Sequence, residues 1–380
     1  MGVCYHSITI SLCLMIIILS LNWYLPPLKA TKPNPVDLPK ERLLVSHRGG
    51  VYYYPENTIE AMKDSYEQFN VDMIETDIQM TADNNFIILH DDFLDRTTNG
   101  RGNASYYTLN KIQQLDAGYR YSPDGKTFPF RGKGLKVPSL QNVYDSFVNS
   151  GLKFSIEIKN EDPKVVDILV QRLRTMPKAK EFICFSSGWH NVIKRFRLLT
   201  NNTFCTVASE HEVIQLMVSV NLGIPRLYYH FFPLKAHIIQ APFTSVGGVN
   251  FNDKKFQVIA KELGVKLVLF TINNGYDIAN CLSNGCQGVM TDRPDIAVRV
   301  MELMGLRKSF KESYQKFDKE VETTSWDCTA FSCLVIDTLI GVLPAQVTFF
   351  IIIFFFVFLI LSFLNIIKWI CCRTTKRKVD

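Results

Sequence analysis

The stretch Leu43-Leu44-Val45-Ser46-His47-Arg48-Gly49-Gly50 joins an apolar run typical of a β-strand to polar residues that follow it at once. The same arrangement recurs at Glu75-Thr76-Asp77 with Leu89-His90-Asp91, and again at Glu157-Ile158-Lys159. Each of these patches lies at or just past the end of an apolar, strand-like run. Barrel enzymes place catalytic groups at the ends of parallel strands, so the pattern predicts one site assembled from several strands.

Outward from this stretch, predicted strands alternate with predicted helices. Strands are predicted at residues 43–46, 72–80, 86–89, 153–158, 182–185, 203–207, 245–250, 266–271 and 288–290. Helices are predicted at residues 57–69, 162–174, 189–199, 253–263, 276–284 and 294–304. Alternation of this kind indicates a parallel sheet covered by helices. The length of the central region fits an α/β barrel.

A strand count of nine or ten exceeds the eight strands of such a barrel, and one short loop explains part of the excess. Only Thr81-Ala82-Asp83-Asn84-Asn85 separates the second and third predicted strands. A parallel crossover needs about a dozen residues, so these strands must form an antiparallel hairpin. Either the barrel has an irregularity or one arm of the hairpin lies outside it. In both cases the hairpin brings Glu75 and Asp77 near His90.

Two apolar runs lie outside the alternation, at residues 8–25 and 338–372. The second is longer than the roughly 20 apolar residues that a membrane-spanning helix needs. The first is predicted to be an anchor rather than a signal peptide, because it lacks a basic leader and a good cleavage site. The predicted organisation is an N-terminal transmembrane anchor or signal anchor at 1–25, a linker at 26–41, a barrel domain at 42–305, a charged stalk at 306–337, a C-terminal transmembrane helix at 338–372 and a basic tail at 373–380.

Charge limits the partners but leaves the orientation in the membrane open. The net charge is +6 with scattered Lys and Arg, which indicates no nucleic-acid partner, and no protein partner can be inferred. The basic tail at 373–380 favours a cytoplasmic C-terminus, and the glycosylation sequons at Asn103 and Asn201 agree with a lumenal or external barrel. Lys32 and Arg42, after the first run, favour a cytoplasmic barrel instead. The predicted location is the endoplasmic reticulum or the plasma membrane.

The ten cysteines show no spacing typical of a zinc site. Cys184 and Cys205 lie in apolar, strand-like runs and are predicted to be buried thiols. Two further pairs lie near the C-terminal run, where Cys328 and Cys333 could form a disulfide and the adjacent Cys371-Cys372 could be palmitoylated.

The acidic residues of the predicted strands indicate a metal site. Glu75 and Asp77 are two residues apart on one strand, so both point to the same face. Two carboxylates so close together repel each other unless a cation or a proton lies between them. Glu157 offers a third oxygen ligand, and a set of oxygen ligands favours Mg²⁺ or Ca²⁺ over zinc. The alternative is a pair of surface carboxylates that bind no ion.

Two histidines and two cations complete a set of side chains suited to phosphodiester cleavage. This reaction needs neutralisation of the phosphoryl charge and protonation of the leaving alkoxide. Arg48 and Lys159 can bind the phosphate. One of His47 and His90 can deprotonate the nucleophile while the other protonates the leaving oxygen. Water and a hydroxyl of the substrate itself are both possible nucleophiles.

Taken together, the motifs of residues 42–305 resemble the glycerophosphodiester phosphodiesterase family. The motifs that carry the resemblance are, in chain order, His47-Arg48-Gly49, Pro55-Glu56-Asn57-Thr58, Glu75-Thr76-Asp77, Thr81-Ala82-Asp83, His90-Asp91, Leu94-Asp95-Arg96-Thr97-Thr98, Glu157-Ile158-Lys159, Phe270-Thr271-Ile272-Asn273 and Gly288-Val289-Met290-Thr291-Asp292-Arg293-Pro294. Two positions depart from the family pattern, since Phe270 stands where many members carry Trp and Gln141 where Glu is common. Both departures bear on substrate choice.

The resemblance implies the fold and the roles of the site residues. The implied fold is a TIM-type (β/α)8 barrel with a small insertion, which the apolar ends would flank with transmembrane helices. The implied roles are ligation of one divalent cation (Mg²⁺ or Ca²⁺) by Glu75, Asp77 and Glu157, acid and base catalysis by His47 and His90, and phosphate binding by Arg48 and Lys159.

Within the family, the chain looks most like the membrane-anchored animal branch that acts as lysophospholipase D. The Ser46–Gly50 patch and an aromatic insert near Phe231–Phe243 suggest this branch, and the insert is either a lipid-contacting lid or an ordinary packed loop. The predicted function is hydrolysis of lysophospholipids or glycerophosphodiesters on the headgroup side of phosphate, in contact with membrane lipid. The products are lysophosphatidic acid or glycerol phosphate, plus an alcohol.

Two alternatives remain open at this stage. The first is a glycerophosphodiesterase that acts only on soluble substrates. The second is a catalytically silent membrane scaffold. The complete set of two histidines and three acids argues against the scaffold, because a silent relative would be expected to lose some of them.

Overall fold

The computed structural model describes residues 2–28, 34–39, 42–245 and 250–308. These residues fall into two compact units. The larger unit runs from residue 28 to 217 and continues from 232, and it contains all of the β-strands. The smaller unit, in the described part of the chain, comprises residues 2–27 and 218–231.

Eight parallel strands form a nearly closed barrel in the larger unit. The nine strands of the sheet are β1 (Leu43–Ser46), β2 (Met73–Met80), β3 (Phe86–Ile88), β4 (Lys153–Ile158), β5 (Ile183–Ser186), β6 (Cys205–Thr206), β7 (Ile238–Pro242), β8 (Lys266–Phe270) and β9 (Gly288–Thr291). Their order is β6-β5-β4-β2-β1-β9-β8-β7, with β3 off this path. A single parallel bridge between Val207 and Ile238 joins the two ends. The predicted TIM-type barrel is therefore confirmed.

The β2–β3 hairpin resolves the excess of strands. β3 pairs antiparallel with β2 and takes no place in the parallel order, so it is the arm that lies outside the barrel. The turn is held by Thr81, whose amide donates to the Asn85 carbonyl at 2.9 Å, and by Asn84 in the left-handed region. The insertion into the barrel, the segment between β3 and α4 (residues 89–139), covers the other side of β3, where the Ile88 amide donates to the Pro138 carbonyl at 2.8 Å.

Helices follow most strands and cover the outside of the barrel. The helices are α1 (Gly2–Tyr24), α2 (Ile59–Phe69), α3 (Leu109–Ile112), α4 (Leu140–Phe147), α5 (Val165–Leu173), α6 (Ala179–Phe182), α7 (His190–Leu199), α8 (Glu210–Asn221), α9 (Pro225–Phe231), α10 (Lys254–Glu262), α11 (Gly275–Asn284) and α12 (Pro294–Leu303). All six predicted helices are present, as α2, α5, α7, α10, α11 and α12. Helix α2 begins where the Thr58 hydroxyl accepts the Ala61 amide at 3.2 Å, a hydrogen bond typical of a helix N-cap.

The barrel strand before β8 lies earlier in the chain than predicted. The strand expected at 245–250 is instead β7 (Ile238–Pro242), and residues 246–249 lie outside the described part of the chain. The sequence did not predict a strand here because the segment contains Pro242, and proline lacks the amide hydrogen that a central strand needs. Proline is tolerated here because β7 pairs fully only with β8 and meets the other end of the sheet through one bridge.

Cys184 and Cys205 are buried as predicted, but the prediction that they are thiols is wrong, because the two form a disulfide. Cys184 lies on β5 directly opposite Cys205 on β6 in the parallel register. Each strand by itself reveals only a buried cysteine, and the pairing depends on which residues face each other. A second disulfide joins Cys281 and Cys286 after α11. The cysteines predicted near the C-terminal span lie outside the described residues.

Of the two predicted membrane segments, only the N-terminal one lies within the described residues. Helix α1 covers the N-terminal apolar run, yet no helix in the described ranges is both long and apolar enough to cross a membrane. The structure therefore does not support a transmembrane helix at 1–25. The predicted C-terminal span at 338–372 lies outside the described residues, as do the basic tail and nearly all of the stalk. Within the smaller unit, the Asn22 side chain accepts the Arg226 amide at 2.9 Å and so links α1 to the start of α9.

Candidate active site

The structure brings the predicted site residues to one end of three neighbouring barrel strands and to the hairpin arm β3 beside them, where the Leu89 amide donates to the Asp77 carbonyl at 3.0 Å. β2 lies between β1 and β4 in the barrel, and the polar patches follow or end these strands. His47 and Arg48 lie in a short 3-10 turn directly after β1, and His90 follows β3. The remaining site residues belong to β2 and β4 or follow them, namely Glu75, Asp77, Glu157 and Lys159.

Three carboxylates form the centre of the cluster. Glu75, Asp77 and Glu157 each offer an oxygen within 4.8 Å of the others. Glu75 is 6% exposed and Asp77 1%, and Asp77 lies opposite Glu157 in the β2–β4 register. Burial and the charge of Asp77 raise the pKa of Glu75 well above its usual range. Such a set, rich in oxygen and negative charge, fits a divalent cation of the Mg²⁺ or Ca²⁺ type.

Lys159 lies against two of these acids. Its Nζ is 3.1 Å from Asp77 Oδ1 and 2.8 Å from Glu157 Oε2. Burial lowers the pKa of Lys159, but the charges of Asp77 and Glu157 and their hydrogen bonds outweigh burial, so the pKa is raised. The side chain is therefore a fixed cation beside the carboxylates.

Arg48 has an unusual backbone and a buried guanidinium nitrogen close to Asp77. Its φ of 49° aims its amide at Glu75 Oε2, 3.2 Å away, and Gly49 and Gly50 continue the turn at φ values of 86° and 88°. Its Nη1 donates to Glu56 Oε1 at 3.1 Å. Its buried Nε has no hydrogen-bond partner in the described part of the chain, but it lies 3.8 Å from Asp77 Oδ2, an ion pair too long for a hydrogen bond. A buried guanidinium donor without a hydrogen bond beside this cluster suits an anionic oxygen of a ligand.

Asn57 orients Asp77, a role that was not predicted. Its Nδ2 donates to Asp77 Oδ2 at 3.0 Å, and its Oδ1 accepts the Thr76 hydroxyl at 2.7 Å. The Asn57 amide also donates to the Arg48 carbonyl at 2.8 Å, with Asn57 itself in the left-handed region. The Pro-Glu-Asn-Thr motif contained this residue, but nothing in the motif indicates which side chain Asn57 contacts.

His47 is paired with Asp292, a residue that the predicted site did not include. His47 Nδ1 lies 2.6 Å from Asp292 Oδ1, and Asn273 Nδ2 donates to the other Asp292 oxygen at 2.8 Å. Burial raises the pKa of Asp292, but the hydrogen bond from His47 and its charge outweigh burial and hold that pKa low. An ionised carboxylate only accepts, so Nδ1 of His47 carries the proton.

The other ring nitrogen of His47 therefore faces the acids. His47 Nε2 lies 3.8 Å from Glu75 Oε2. Burial lowers the pKa of His47, but the hydrogen bond to Asp292 and the charges of Glu75 and Asp292 raise it above its usual value. A histidine held this way is suited to exchange a proton through Nε2.

His90 has the same kind of partner. Its Nδ1 lies 2.7 Å from Asp91 Oδ1. The hydrogen bond from Arg96 lowers the pKa of Asp91 to about 2, so Asp91 is ionised and accepts from His90. The adjacent His90-Asp91 pair was visible in the sequence, but its orienting role was not predicted.

A parallel α/β barrel with acids, histidines and cations at one end of its strands has the architecture of a barrel enzyme. The sequence profile of the Glycerophosphoryl diester phosphodiesterase family matches residues 47–296. The chain belongs to this family and is a phosphoric diester hydrolase. The family predicted from the motifs is therefore confirmed.

Individual relatives agree with this assignment. The glycerophosphodiester phosphodiesterase of Bacillus subtilis (strain 168) is 29% identical over 295 residues, covering 74% of this chain and 93% of the relative. The human protein named lysophospholipase D GDPD1 is 22% identical over 285 residues, covering 67% and 85%. An Oleispira antarctica phosphodiesterase, solved in complex with the product sn-glycerol-3-phosphate, shares the fold with a TM-score of 0.55 at 19% identity, covering 69% of this chain and 97% of that one.

Proposed function

We propose that this hydrolase is a metal-dependent glycerophosphodiester phosphodiesterase that cleaves on the headgroup side of phosphate. The observation that carries the proposal is the cluster of three carboxylates beside two histidines that are each oriented by an aspartate. Hydrolysis of a phosphodiester needs both charge neutralisation and proton transfer, and the cluster offers groups for each.

Each side chain has a task in this proposal. Glu75, Asp77 and Glu157 would hold Mg²⁺ or Ca²⁺, which supplies positive charge to the phosphoryl oxygens when bound. Arg48 uses its Nε, which makes no hydrogen bond in the described part of the chain, and Lys159 uses its ammonium to bind phosphate. His47 and His90 exchange protons through Nε2, because Asp292 and Asp91 hold the other ring nitrogen of each. One removes the proton of the nucleophile and the other protonates the leaving oxygen.

The proposed substrates extend to lysophospholipids. Similarity to a human lysophospholipase D supports this choice. Helix α1 exposes large apolar side chains, including Trp23 at 78% and Tyr24 at 85%, and Phe231 and Phe232 are also exposed. Aromatic rings are favoured at the boundary between lipid and water. We therefore propose that the chain is bound to the membrane, and that the apolar run at 338–372 anchors it there.

Headgroup release from glycerophosphocholine and lysophosphatidylcholine tests the proposed activity. After chelation, the purified full-length chain is expected to release almost no choline, and added Mg²⁺ or Ca²⁺ is expected to restore release. The second product distinguishes this activity from cleavage elsewhere, since lysophosphatidic acid or glycerol phosphate must appear in step with choline. Activity that survives chelation would contradict metal dependence. Hydrolysis of glycerophosphocholine alone would restrict the enzyme to soluble substrates.

We further propose that the barrel faces an oxidising compartment, the endoplasmic reticulum lumen or the cell exterior. The two disulfides support this side, because disulfides persist in oxidising surroundings. The sequon at Asn201 supports it too, because Asn201 is exposed just after α7. Asn103 is less accessible than Asn201, since it is only partly exposed.

Glycan analysis and protease protection test this orientation. The chain made in animal cells is expected to gain electrophoretic mobility after glycosidase treatment, and Asn201→Gln is expected to remove most of that shift. In sealed microsomes the barrel should resist protease until detergent is added. A barrel that carries no glycan and is digested without detergent would place it on the cytoplasmic side.

A further inference from the structure

Arg96 forms a bridge between two acids at the rim of the site. Its Nη1 and Nη2 donate to Glu56 Oε2 and Oε1 at 2.7 and 2.8 Å. Its Nε and Nη2 donate to Asp91 Oδ2 and Oδ1 at 2.5 and 3.1 Å. The planar guanidinium therefore makes two bidentate contacts at once, which a lysine cannot reproduce.

Each of the two acids also accepts a hydrogen bond from one of the predicted site residues. Glu56 Oε1 also accepts Arg48 Nη1 at 3.1 Å, and Asp91 Oδ1 accepts His90 Nδ1 at 2.7 Å. A continuous chain of charge-assisted hydrogen bonds thus runs from Arg48 through Glu56, Arg96 and Asp91 to His90. Glu56 lies in the loop between β1 and α2, while Asp91 and Arg96 follow β3, so the bridge connects separate loops.

We propose that Arg96 is a positioning residue that holds Arg48 and His90 in the arrangement needed for phosphate binding and proton transfer. This inference rests on the proposed function. Arg96 acts on His90 by fixing the Asp91 carboxylate that accepts its Nδ1–H. It acts on Arg48 by occupying both oxygens of Glu56.

Competition for Arg48 makes the second effect specific. While Arg96 binds both Glu56 oxygens, Arg48 reaches only Oε1 of Glu56, and its Nε stays on the side of Asp77 Oδ2, 3.8 Å away, without a hydrogen bond in the described part of the chain. Without Arg96, the Glu56 carboxylate is free to pair with Arg48 through both oxygens, because this geometry is favoured between arginine and a carboxylate. Arg48 would then be drawn away from a phosphate ligand.

The simpler explanation is a surface ion network that only stabilises the insertion. The Arg96 side chain is 45% exposed, and ion pairs at that exposure contribute little to folding. A network with no other role would leave activity and phosphate binding unchanged when it is removed. Arg101 offers a matched control, since it is an exposed arginine of the same insertion.

Steady-state kinetics and binding of sn-glycerol 3-phosphate test the inference. Arg96→Gln and Arg96→Lys are both expected to lower kcat for glycerophosphocholine by about 10- to 100-fold. Arg101→Gln is expected to match the wild type, and the thermal unfolding midpoints of all these variants should agree closely. By calorimetry, Arg96→Gln should bind sn-glycerol 3-phosphate several-fold more weakly than the wild type.

A double variant separates positioning from loss of charge. Glu56→Gln removes the competitor for Arg48, so the variant that carries both Glu56→Gln and Arg96→Gln should recover phosphate binding relative to Arg96→Gln, while kcat stays low. If Arg96→Gln matches Arg101→Gln in kcat and in binding, the inference is wrong and the proposed function stands. If the wild type neither hydrolyses a glycerophosphodiester nor binds sn-glycerol 3-phosphate, the proposed function itself fails and the inference with it.

Discussion

Replacement of His90 by alanine is expected to lower kcat by about 10²- to 10⁴-fold, the contribution typical of a general acid or base. The imidazole has its Nδ1 fixed by Asp91, which leaves Nε2 as its proton-exchanging atom. The side-chain partner of His90 is Asp91, which is not a proposed metal ligand. The KM for glycerophosphocholine should therefore change far less than kcat. Choline release at saturating substrate measures the effect.

The leaving group reveals which step His90 serves. If His90 protonates the leaving oxygen, a p-nitrophenyl phosphodiester should lose much less activity than glycerophosphocholine, because p-nitrophenolate leaves without protonation. If His90 activates the nucleophile, both substrates should lose activity alike. His211→Ala is the matched control, since His211 is an exposed histidine at the start of α8, outside the cluster. If His90→Ala releases choline at the wild-type rate, the catalytic role assigned to this site is wrong.

Glu75→Gln is expected to abolish activity and to weaken divalent cation binding by at least about tenfold. It should also remove a pH dependence of stability. Burial and Asp77 raise the pKa of Glu75, so the metal-free folded protein keeps a proton there that the unfolded chain has released. Stability therefore falls as pH rises above the usual range of a glutamic acid and through the raised pKa.

Thermal unfolding in chelator measures this effect. The midpoint of the wild type should fall between about pH 6 and about pH 9, and that of Glu75→Gln should fall less, because glutamine does not ionise. Added Mg²⁺ or Ca²⁺ should raise the wild-type midpoint most at the higher pH and leave the variant nearly unchanged. Glu161→Gln, at an exposed acid just after β4, controls for the loss of one charge. If the cation raises the unfolding midpoints of the wild type and of Glu75→Gln equally, Glu75 is not a ligand of the ion.

The strands that carry the chemistry could be predicted because their signals are local. β1 and β4 have the predicted bounds, since each is a buried apolar run that meets polar residues at its end. The hairpin followed from the length of one loop, which is too short for a parallel crossover. The facing of Glu75 and Asp77 followed from the two-residue period of a strand.

Features that depend on distant partners could not be predicted. Asp292 lies 245 residues after His47, and nothing near either residue indicates that they meet. The Cys184–Cys205 disulfide depends on the β5–β6 register. Strand β7 was not predicted because it ends in proline, which a barrel strand tolerates here only because β7 meets the β6 end of the sheet through a single bridge. Arg96 and Asp91 stood in recognisable motifs, but a motif names residues without showing their hydrogen bonds.

The contact between His47 and Asp292 has a consequence for the biosynthesis of the enzyme. His47 follows the first strand of the barrel and Asp292 follows the last, and β1 and β9 pair with each other. A nascent chain on the ribosome can already hold His90 next to Asp91, yet it lacks the aspartate that orients His47. Hydrolysis by the proposed mechanism can therefore begin only after residue 292 has emerged and the final strand has docked, so that the enzyme stays inactive during nearly all of the synthesis of its barrel.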